Sequence, residues 1–154
     1  MRIGVITDTH NFFDPQIPKL FEGVEHILHG GDIGSQRIIL ELAKIAPVTA
    51  VLGNTDDPGL HVRQTETLEL GRRKFLVHHI VDPHALDEGL KSYIAREQPN
   101  VVVFGHTHKP FNEMLGGTLF FNPGYAGKSR FGMTRSLAIL DCNGKSISAR
   151  YHTL

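Results

Sequence analysis

The chain has almost no cysteine, no net charge and no long apolar run. Cys142 is the only cysteine among 154 residues, which excludes an intrachain disulfide and a zinc site built on thiolates. Sixteen Lys and Arg residues balance sixteen Asp and Glu residues, whereas a protein that neutralises a long nucleic-acid backbone is usually basic. The balance of charge therefore argues against polymeric nucleic acid as a partner.

Membrane-spanning and secretory segments are also missing from the sequence. No run approaches the roughly 18 apolar residues of a membrane span, and MRIGVITDTH has neither a long hydrophobic region nor a small-residue cleavage site. Together with the single cysteine, this predicts a cytoplasmic protein with no membrane partner. The composition, 40% hydrophobic and 21% charged, is typical of a globular class, and the length fits one domain spanning residues 1–154.

Strand-like and helix-like segments alternate in the first two thirds of the chain. Near-continuous apolar runs predict strands buried on both faces, at residues 2–7, 26–28, 47–52, 74–77 and 100–104. Apolar residues at helical spacing predict helices at residues 15–21, 36–45 and 85–97. This alternation is typical of βαβ units and a largely parallel sheet.

Hairpins are added to this parallel set. Gly116-Gly117 and Gly71-Arg72 each separate two strand-like runs, and the segment 141–144 separates runs at 136–140 and 146–151. The sequence therefore predicts an α/β protein with two packed mixed sheets and helices outside them.

Two histidines end the fifth apolar run, in Gly105-His106-Thr107-His108. Side chains at i and i+2 of extended backbone point the same way, so both imidazoles can turn a ring nitrogen to one point, as metal ligands do. The motif alone is also compatible with a solvated loop.

The other four runs end in the same way, with a carboxylate, an amide or an imidazole and usually a glycine beside it. Ligand sites in α/β sheets form outside the carboxyl ends of the strands, so we expect these side chains to share one pocket. The candidates are Asp8, His10, Asp32, Asn54, His78, His106 and His108.

Seven ligands are too many for one tetrahedral ion. They suit two cations that share a carboxylate, with one oxygen on each metal. Two divalent ions, two carboxylates and a hydroxide leave a charge of about +1, which attracts phosphate. Two such metals can stabilise the attacking and leaving oxygens of an in-line displacement, and the many imidazoles favour Mn, Fe, Co, Ni or Zn over Ca or Mg.

The ordered motifs DxH, GD, GNxD, a mid-chain histidine and GHTH resemble those of the calcineurin-like metallophosphoesterases. The later stretch from Asn122-Pro-Gly124 to Arg130 resembles the compact prokaryotic phosphodiesterase branch, to which the retromer small subunit is related. The resemblance implies a four-layer α/β/β/α sandwich. It also implies hydrolysis of a small phosphodiester, or alternatively a phosphomonoester, by in-line attack of a metal-bound hydroxide.

The resemblance also implies roles for individual residues. One metal would be bound by Asp8, His10, Asp32 and His108, and the other by Asp32, Asn54, His78 and His106, with Asp32 bridging. The catalytic residues would be Asp8, Asp32, Asn54 and His106. Supporting positions around the ligands would be Asp56, His79 and Arg130. The cofactors would be two divalent transition-metal ions, with Mn²⁺ first and Ni²⁺, Fe²⁺, Co²⁺ or Zn²⁺ as alternatives.

The sequence departs from the family pattern at two positions. Thr55 stands where many members have a histidine that helps the leaving group, although the compact branch often lacks that histidine too. The fourth strand ends in His78-His79-Ile80 where the family usually has His-Gly-His, so His79 is the alternative to His78 as ligand. Near the site, His29 either packs or supports a ligand, with packing favoured, and Asp56 either shapes the turn after Asn54 or supports a ligand.

We therefore predict a metal-dependent phosphoesterase acting on a small phosphate ester. The alternatives are a protein-interaction scaffold on the same fold, as in the retromer relative, and a nuclease. A scaffold needs none of the seven ligands, and none is replaced here. The sequence leaves a homo-oligomer open.

Overall fold

The computed structural model describes residues 1–154 and contains ten strands and three α-helices. The strands are β1 (Arg2–Ile6), β2 (His26–His29), β3 (Val48–Ala50), β4 (Thr65–Leu70), β5 (Arg73–His78), β6 (Val101–Val103), β7 (Phe111–Leu115), β8 (Thr118–Asn122), β9 (Ser136–Asn143) and β10 (Ser146–Thr153). The helices are α1 (Ile17–Leu20), α2 (Gln36–Ala43) and α3 (Glu88–Glu97), with a 3₁₀ turn at Pro58–Leu60.

The strands form two mixed sheets of five strands each. Their orders are β10-β9-β1-β2-β3 and β4-β5-β6-β8-β7. Parallel pairing joins β1, β2 and β3 in one sheet and β5, β6 and β8 in the other. The predicted hairpins supply the antiparallel pairs β9–β10, β4–β5 and β7–β8, so the expectation of parallel strands with added hairpins is confirmed.

Three apolar clusters separate four layers. The first lies between the sheets and joins Val5 and Leu28 of one to Val77 and Val103 of the other. The second covers the outer face of the first sheet beneath α1 and α2, and the third covers the outer face of the second sheet beneath α3. Each sheet is therefore buried on both faces, which confirms the α/β/β/α sandwich.

Several predicted boundaries differ from the structure by a few residues, and two of these differences have a clear local cause. The third helix begins at Glu88 and not at residue 85, because the Asp87 side chain accepts a hydrogen bond from the Leu90 amide and caps the helix. The last hairpin turns at Gly144-Lys145, since β9 continues to Asn143 in full register with β10. Gly144 has φ 54°, which favours glycine.

None of the three helices has the length and apolar character needed to cross a bilayer. The longest, α3, has 10 residues.

The carboxyl ends of β1, β2, β3, β5 and β6 lead into loops that bond to one another beyond the sheets. The His10 amide donates to the Asp32 carbonyl (2.9 Å), and the Gly105 amide donates to the His79 carbonyl (3.0 Å). The His106 amide donates to Asp8 Oδ2 (3.0 Å), which ties the loop of the second sheet to that of the first. These bonds gather the polar strand ends at one place.

Candidate metal centre

Two neighbouring groups of side chains occupy the place where the strand ends meet. Asp8, His10 and His108 form one group, and Asp32, His79 and His106 form the other. Within each group, the atoms that could bind a metal lie within 4.8 Å of one another. Five of the seven predicted ligands are therefore brought together in these groups, and His79 joins them.

The two carboxylates lie at the centre of the cluster. Asp8 Oδ1 is 3.2 Å from His108 Nε2 and 3.7 Å from His10 Nε2. Asp32 Oδ2 is 3.2 Å from His79 Nε2 and 3.8 Å from His10 Nε2. His10 thus faces both carboxylates, and the two groups form one continuous site.

Each carboxylate uses one oxygen to bond to the protein and turns the other into the cluster. Asp8 Oδ2 accepts hydrogen bonds from Thr7 Oγ1 (2.9 Å) and the His106 amide. Asp32 Oδ1 accepts one from the Thr55 amide (2.9 Å). Asp32 Oδ2 therefore faces both His10 and His79, and a bridging role for Asp32 stays a prediction.

The inward-facing atoms fit divalent metals. Asp8 Oδ1, His10 Nε2 and His79 Nε2 are buried without a hydrogen-bond partner, although buried polar atoms are nearly always paired. Two ligands on one ion at about 2.1 Å lie about 3.0–3.4 Å apart. The distances of 3.2 Å from His108 Nε2 to Asp8 Oδ1 and from His79 Nε2 to Asp32 Oδ2 fall in that range.

Asn54 lies beside the second group. Its Oδ1 is 3.0 Å from His106 Nδ1, a separation that also suits two ligands of one ion. Both residues are exposed. The amide and this imidazole therefore form the rim of the cluster, whereas Asp8 and Asp32 form its buried floor.

At the end of β5, the structure places His79 in the cluster and leaves the predicted ligand His78 outside it. His79 is 2% exposed and its Nε2 faces the carboxylates. His79 Nδ1 lies 2.7 Å from the Gly30 carbonyl oxygen, which can only accept. That bond keeps the proton on Nδ1 and leaves the Nε2 lone pair free for a metal.

His78 points the other way. Side chains alternate along a strand, so Phe75, Val77 and His79 share one side of β5, and Phe75 and Val77 pack between the sheets. His78 instead bonds through Nδ1 to Thr65 Oγ1 (2.8 Å) and lines a pocket beside α3. His78 cannot join the cluster in this register.

The backbone around the cluster is left-handed at five of its residues. Positive φ angles occur at Asp8 (55°), His10 (45°), Asp32 (52°), His106 (71°) and His108 (60°). Such angles are uncommon for residues other than glycine, and strained backbone clusters at functional sites. The left-handed backbone at these residues directs their side chains toward one point.

Two glycines allow the close approach of the loops to the carboxylates. A side chain at Gly53 would overlap Asp32 Oδ1, and one at Gly105 would overlap Thr7 Oγ1 and crowd Asp8 Oδ2. The absence of a Cβ at both positions is therefore required for the observed geometry.

Mutual contacts shift the pKa values within the cluster. Burial acts to raise the pKa of Asp8, but contact with His10, the charge of His79 and the Thr7 hydrogen bond hold it below its ordinary value. The nearby Asp8 carboxylate raises the pKa of His10, whereas burial lowers that of His108. Protons therefore compete with a metal more strongly at His10 than at His108.

Asp56 holds two loops together without reaching the cluster. Its Oδ2 accepts hydrogen bonds from the amides of Ile33 (3.1 Å) and Gly53 (2.9 Å), and its Oδ1 accepts one from Gly34 (2.9 Å). These three bonds fix the loop after Asp32 against the loop after β3. Asp56 therefore both shapes the turn and, through that loop, positions Asp32.

Tyr125 and Arg130 form a stack on the other side of the cluster. The buried Tyr125 ring lies 4.7 Å from the His108 ring and 6.3 Å from the His10 ring. The Arg130 guanidinium lies 5.4 Å above the Tyr125 ring. Arg130 is exposed at the site, as the sequence led us to expect, but nothing in the sequence distinguishes Tyr125 from an ordinary core aromatic.

Asn122 is a further supporting residue. Its Nδ2 donates to the Gly105 carbonyl (3.1 Å) and Thr107 Oγ1 (3.2 Å), and its Oδ1 accepts from the Gly124 amide (2.9 Å). It thereby fixes the loop that carries His106 and His108. Its place at the end of a buried strand, like that of the other polar candidates, was the signal that could have identified it.

His29 is fully buried beneath the site, and both of its ring nitrogens are used. Nδ1 accepts a hydrogen bond from the Gly31 amide (3.1 Å), so Nε2 donates to Thr9 Oγ1 (2.9 Å). Thr9 in turn donates to the Ile33 carbonyl (2.9 Å). This chain holds the loops that carry Asp8, His10 and Asp32 against each other, a larger role than the packing we predicted.

We expect His29 to destabilise the metal-free protein in mild acid. Burial lowers its pKa to about 4, so between pH 6.5 and 4 only the unfolded chain takes up its proton. The free energy of unfolding should fall by about 3 kcal/mol over that range from this residue. The variant His29→Gln keeps a hydrogen-bond donor and an acceptor but has no titrating ring. Its free energy of unfolding, measured by urea titration, should therefore fall less between pH 7 and pH 4.5 than that of the unmodified protein. Identical pH dependence of the two proteins would contradict this role.

We expect the two histidines at the end of β5 to differ in metal binding. His79→Ala should lose metal from the second group and most hydrolytic activity, because the Nε2 lone pair is removed. His78→Ala should keep its metal, since His78 bonds only to Thr65 at this end of the strand. Elemental analysis and calorimetric metal titration check both. Loss of metal in His78→Ala alone would contradict the geometry.

Similarity to known proteins agrees with the fold and the cluster. The model of the calcineurin-like phosphoesterase superfamily domain matches residues 1–145. A probable metallophosphoesterase of Methanothermobacter thermautotrophicus is 33% identical over 156 residues, covering 97% of this chain and 90% of the relative. A phosphodiesterase of Methanocaldococcus jannaschii is 29% identical over 143 residues, covering 80% and 83%.

Solved structures extend the likeness to the whole chain. An archaeal phosphodiesterase superposes with a TM-score of 0.79 at 27% identity and full coverage of both chains. Vps29 of Entamoeba histolytica, complexed with Zn²⁺, superposes with a TM-score of 0.76 at 24% identity and 99% coverage of both, which is a likeness of fold alone. On the match to residues 1–145 and the 33% identical relative, the chain belongs to the calcineurin-like phosphoesterase superfamily.

Proposed function

We propose that this member of the superfamily is a phosphodiesterase that binds two divalent transition-metal ions and hydrolyses small phosphodiesters. The observation that carries the proposal is the pair of buried carboxylate oxygens, Asp8 Oδ1 and Asp32 Oδ2, each of which faces at least two imidazole nitrogens. Such an arrangement is costly without cations, because buried carboxylates need compensating charge.

The two groups define the residues that would hold each ion. The first ion would be bound by Asp8, His10 and His108 with Asp32 Oδ2, and the second by Asp32 Oδ2, Asn54, His79 and His106. Mixed oxygen and imidazole ligands suit Mn²⁺, with Ni²⁺, Fe²⁺, Co²⁺ and Zn²⁺ as alternatives.

Bound metals of this kind activate water as a nucleophile and stabilise the attacking and leaving oxygens of an in-line displacement. The protein's own part is to hold and orient the substrate. Two divalent ions exceed the charge of two carboxylates, so the site attracts a phosphate anion. The charge of Arg130 opposes protonation of both His10 and His108, and we assign its guanidinium to a non-reacting phosphate oxygen.

A diester fits the surroundings of the rim better than a monoester. One pocket beside the second group is lined in part by Gly53, Asn54 and His79. A groove that includes His106 and Thr107 also adjoins this group and shares Ile80 with the pocket. A phosphate held at the rim would have two recesses for its ester arms, and a relative of this chain is named a phosphodiesterase.

The scaffold alternative rests on the likeness of fold to Vps29. The complete ligand set favours an enzyme, because a scaffold would tolerate replacement of these strained and buried polar residues. A nuclease is disfavoured by the zero net charge. A cytoplasmic location and the oligomeric state remain predictions from the sequence.

Metal content and hydrolysis of bis(p-nitrophenyl) phosphate test the proposal together. Protein loaded with Mn²⁺ should hold two ions per chain and turn over the diester. Asp32→Ala should lose both ions and at least about 10³-fold in kcat, because Oδ2 faces both groups. Asp57→Ala is the matched control, since this exposed carboxylate only caps the neighbouring 3₁₀ turn. A fully loaded protein without diester turnover would favour the scaffold.

We expect a steep dependence of rate on the leaving group. Thr55 lies at the rim with its amide on Asp32 Oδ1, and its hydroxyl cannot act as an acid near neutral pH. A positioned acid contributes about 10²–10⁴-fold, so alkyl esters should turn over slowly and nitrophenyl esters well. Thr55→His should help alkyl esters more than nitrophenyl esters. A flat dependence in the unmodified protein across aryl and alkyl diesters would mean that another group supplies the proton.

A further inference from the structure

A groove of about 460 Å³ adjoins the candidate metal centre on the far side of His106. Its walls are mainly apolar, and they are formed by Ile80, Val81, Pro83, Phe104, Pro110 and Phe111. Asp82, His84 and Lys109 add polar atoms to its lining. The volume is in the range of sites for small organic ligands.

The groove is already formed in the free protein. The Asp82 carbonyl accepts the Ala85 amide (3.1 Å) and its Oδ1 accepts the His84 amide (3.1 Å), which fixes the turn before α3. On the opposite wall, the Phe104 and Phe111 rings meet edge to face at 5.7 Å. The His84 ring meets Phe111 at 6.1 Å in the same manner.

Ile80 links the groove to the metal centre. It is 47% exposed, although it directly follows the buried His79. It lines both the groove and the smaller pocket that contains Asn54 and His79. An exposed aliphatic side chain in that position has apolar surface for a ligand that is already held at the rim by its phosphate.

We propose that this groove binds a planar aromatic group, an aryl ring or a nucleobase, carried on one ester arm of the substrate. The inference rests on the proposed phosphodiesterase activity. The half-buried Phe111 ring and the exposed His84 ring favour a ring in the ligand, which can stack or pack edge to face against them. If the ring is a nucleobase, Asp82 and Lys109 offer an acceptor and a donor to its polar edge, which a phenyl ring or an alkyl arm would leave unused.

Pairs of inhibitors that differ only in the aromatic group test whether the groove binds that group. Phenylphosphonate and methylphosphonate share a headgroup, as do adenosine 5′-monophosphate and ribose 5-phosphate. With the Mn²⁺-loaded protein and bis(p-nitrophenyl) phosphate as substrate, phenylphosphonate should inhibit at least about tenfold more tightly than methylphosphonate, given about 25 cal/mol per Å² of apolar surface buried. A comparable preference for the adenosine compound over ribose 5-phosphate identifies a nucleobase site, and its absence identifies an aryl site.

Ile80→Ala should reduce the aromatic preference about fivefold, because part of the contact surface is removed. Its metal content should match that of the unmodified protein. His84→Ala, which removes the ring that packs against Phe111 in the groove, should reduce the preference in the same direction. Leu40→Ala is the matched control, because Leu40 is an exposed aliphatic residue (57%) on α2 and outside the groove.

Binding to the metal-free protein gives a readout that is independent of activity. Phenylphosphonate or adenosine should shift the backbone amide resonances of Val81, Lys109 and Phe111, and methylphosphonate should not. If both members of each pair inhibit equally, and Ile80→Ala changes neither, the proposal that the groove binds an aromatic group is wrong. The proposed diester hydrolysis would be unaffected by that result. Shifts at the groove in a protein that hydrolyses no diester would support the groove and overturn the proposed function.

Discussion

The structure depends on bringing two buried carboxylates, Asp8 and Asp32, into one small space. Asp8 is fully buried and Asp32 is 3% exposed. Each is held by hydrogen bonds to one oxygen and presents the other to imidazole nitrogens. The penalty for burying an uncompensated carboxylate is several kcal/mol. Three imidazole nitrogens around them soften that penalty in part, and two divalent cations would remove it.

The left-handed backbone follows from the same requirement. Residues in sparsely populated backbone regions cost about 1–3 kcal/mol each. Five residues of the cluster, Asp8 and Asp32 among them, have such a backbone. The loops are held in these conformations by bonds that cross between elements, such as those of Asp56 to the Ile33 and Gly53 amides. The floor of the site is therefore over-determined before any metal binds, as pre-organisation requires.

The sequence was sufficient for the sandwich and for most of the cluster, because apolar runs mark strands and polar residues at their ends converge. It was insufficient for residues whose role depends on which face of a strand they occupy. Phe75, Leu76 and Val77 are all apolar, since β5 is buried on both faces. An unbroken apolar run does not show which residues face which side of the strand, so the sequence could not decide whether His78 or His79 faces the cluster. The hydrogen bond from the Thr55 amide to Asp32 Oδ1 depends on the tertiary approach of two loops, so the sequence carried no signal for which Asp32 oxygen faces the cluster.

The cluster has a buried side and an exposed side. Asp8, Asp32 and His79 are buried, whereas Asn54 and His106 are exposed. In the proposed enzyme, a substrate would approach from the side of these two residues, where the apolar groove and the smaller pocket adjoin the rim. In the proposed enzyme, the buried floor would fix the metals and the exposed rim would select the ester arms. Substitutions in the floor should therefore alter metal content and rate together, whereas substitutions beside the rim, as at Ile80, should alter the choice of substrate with the metals retained.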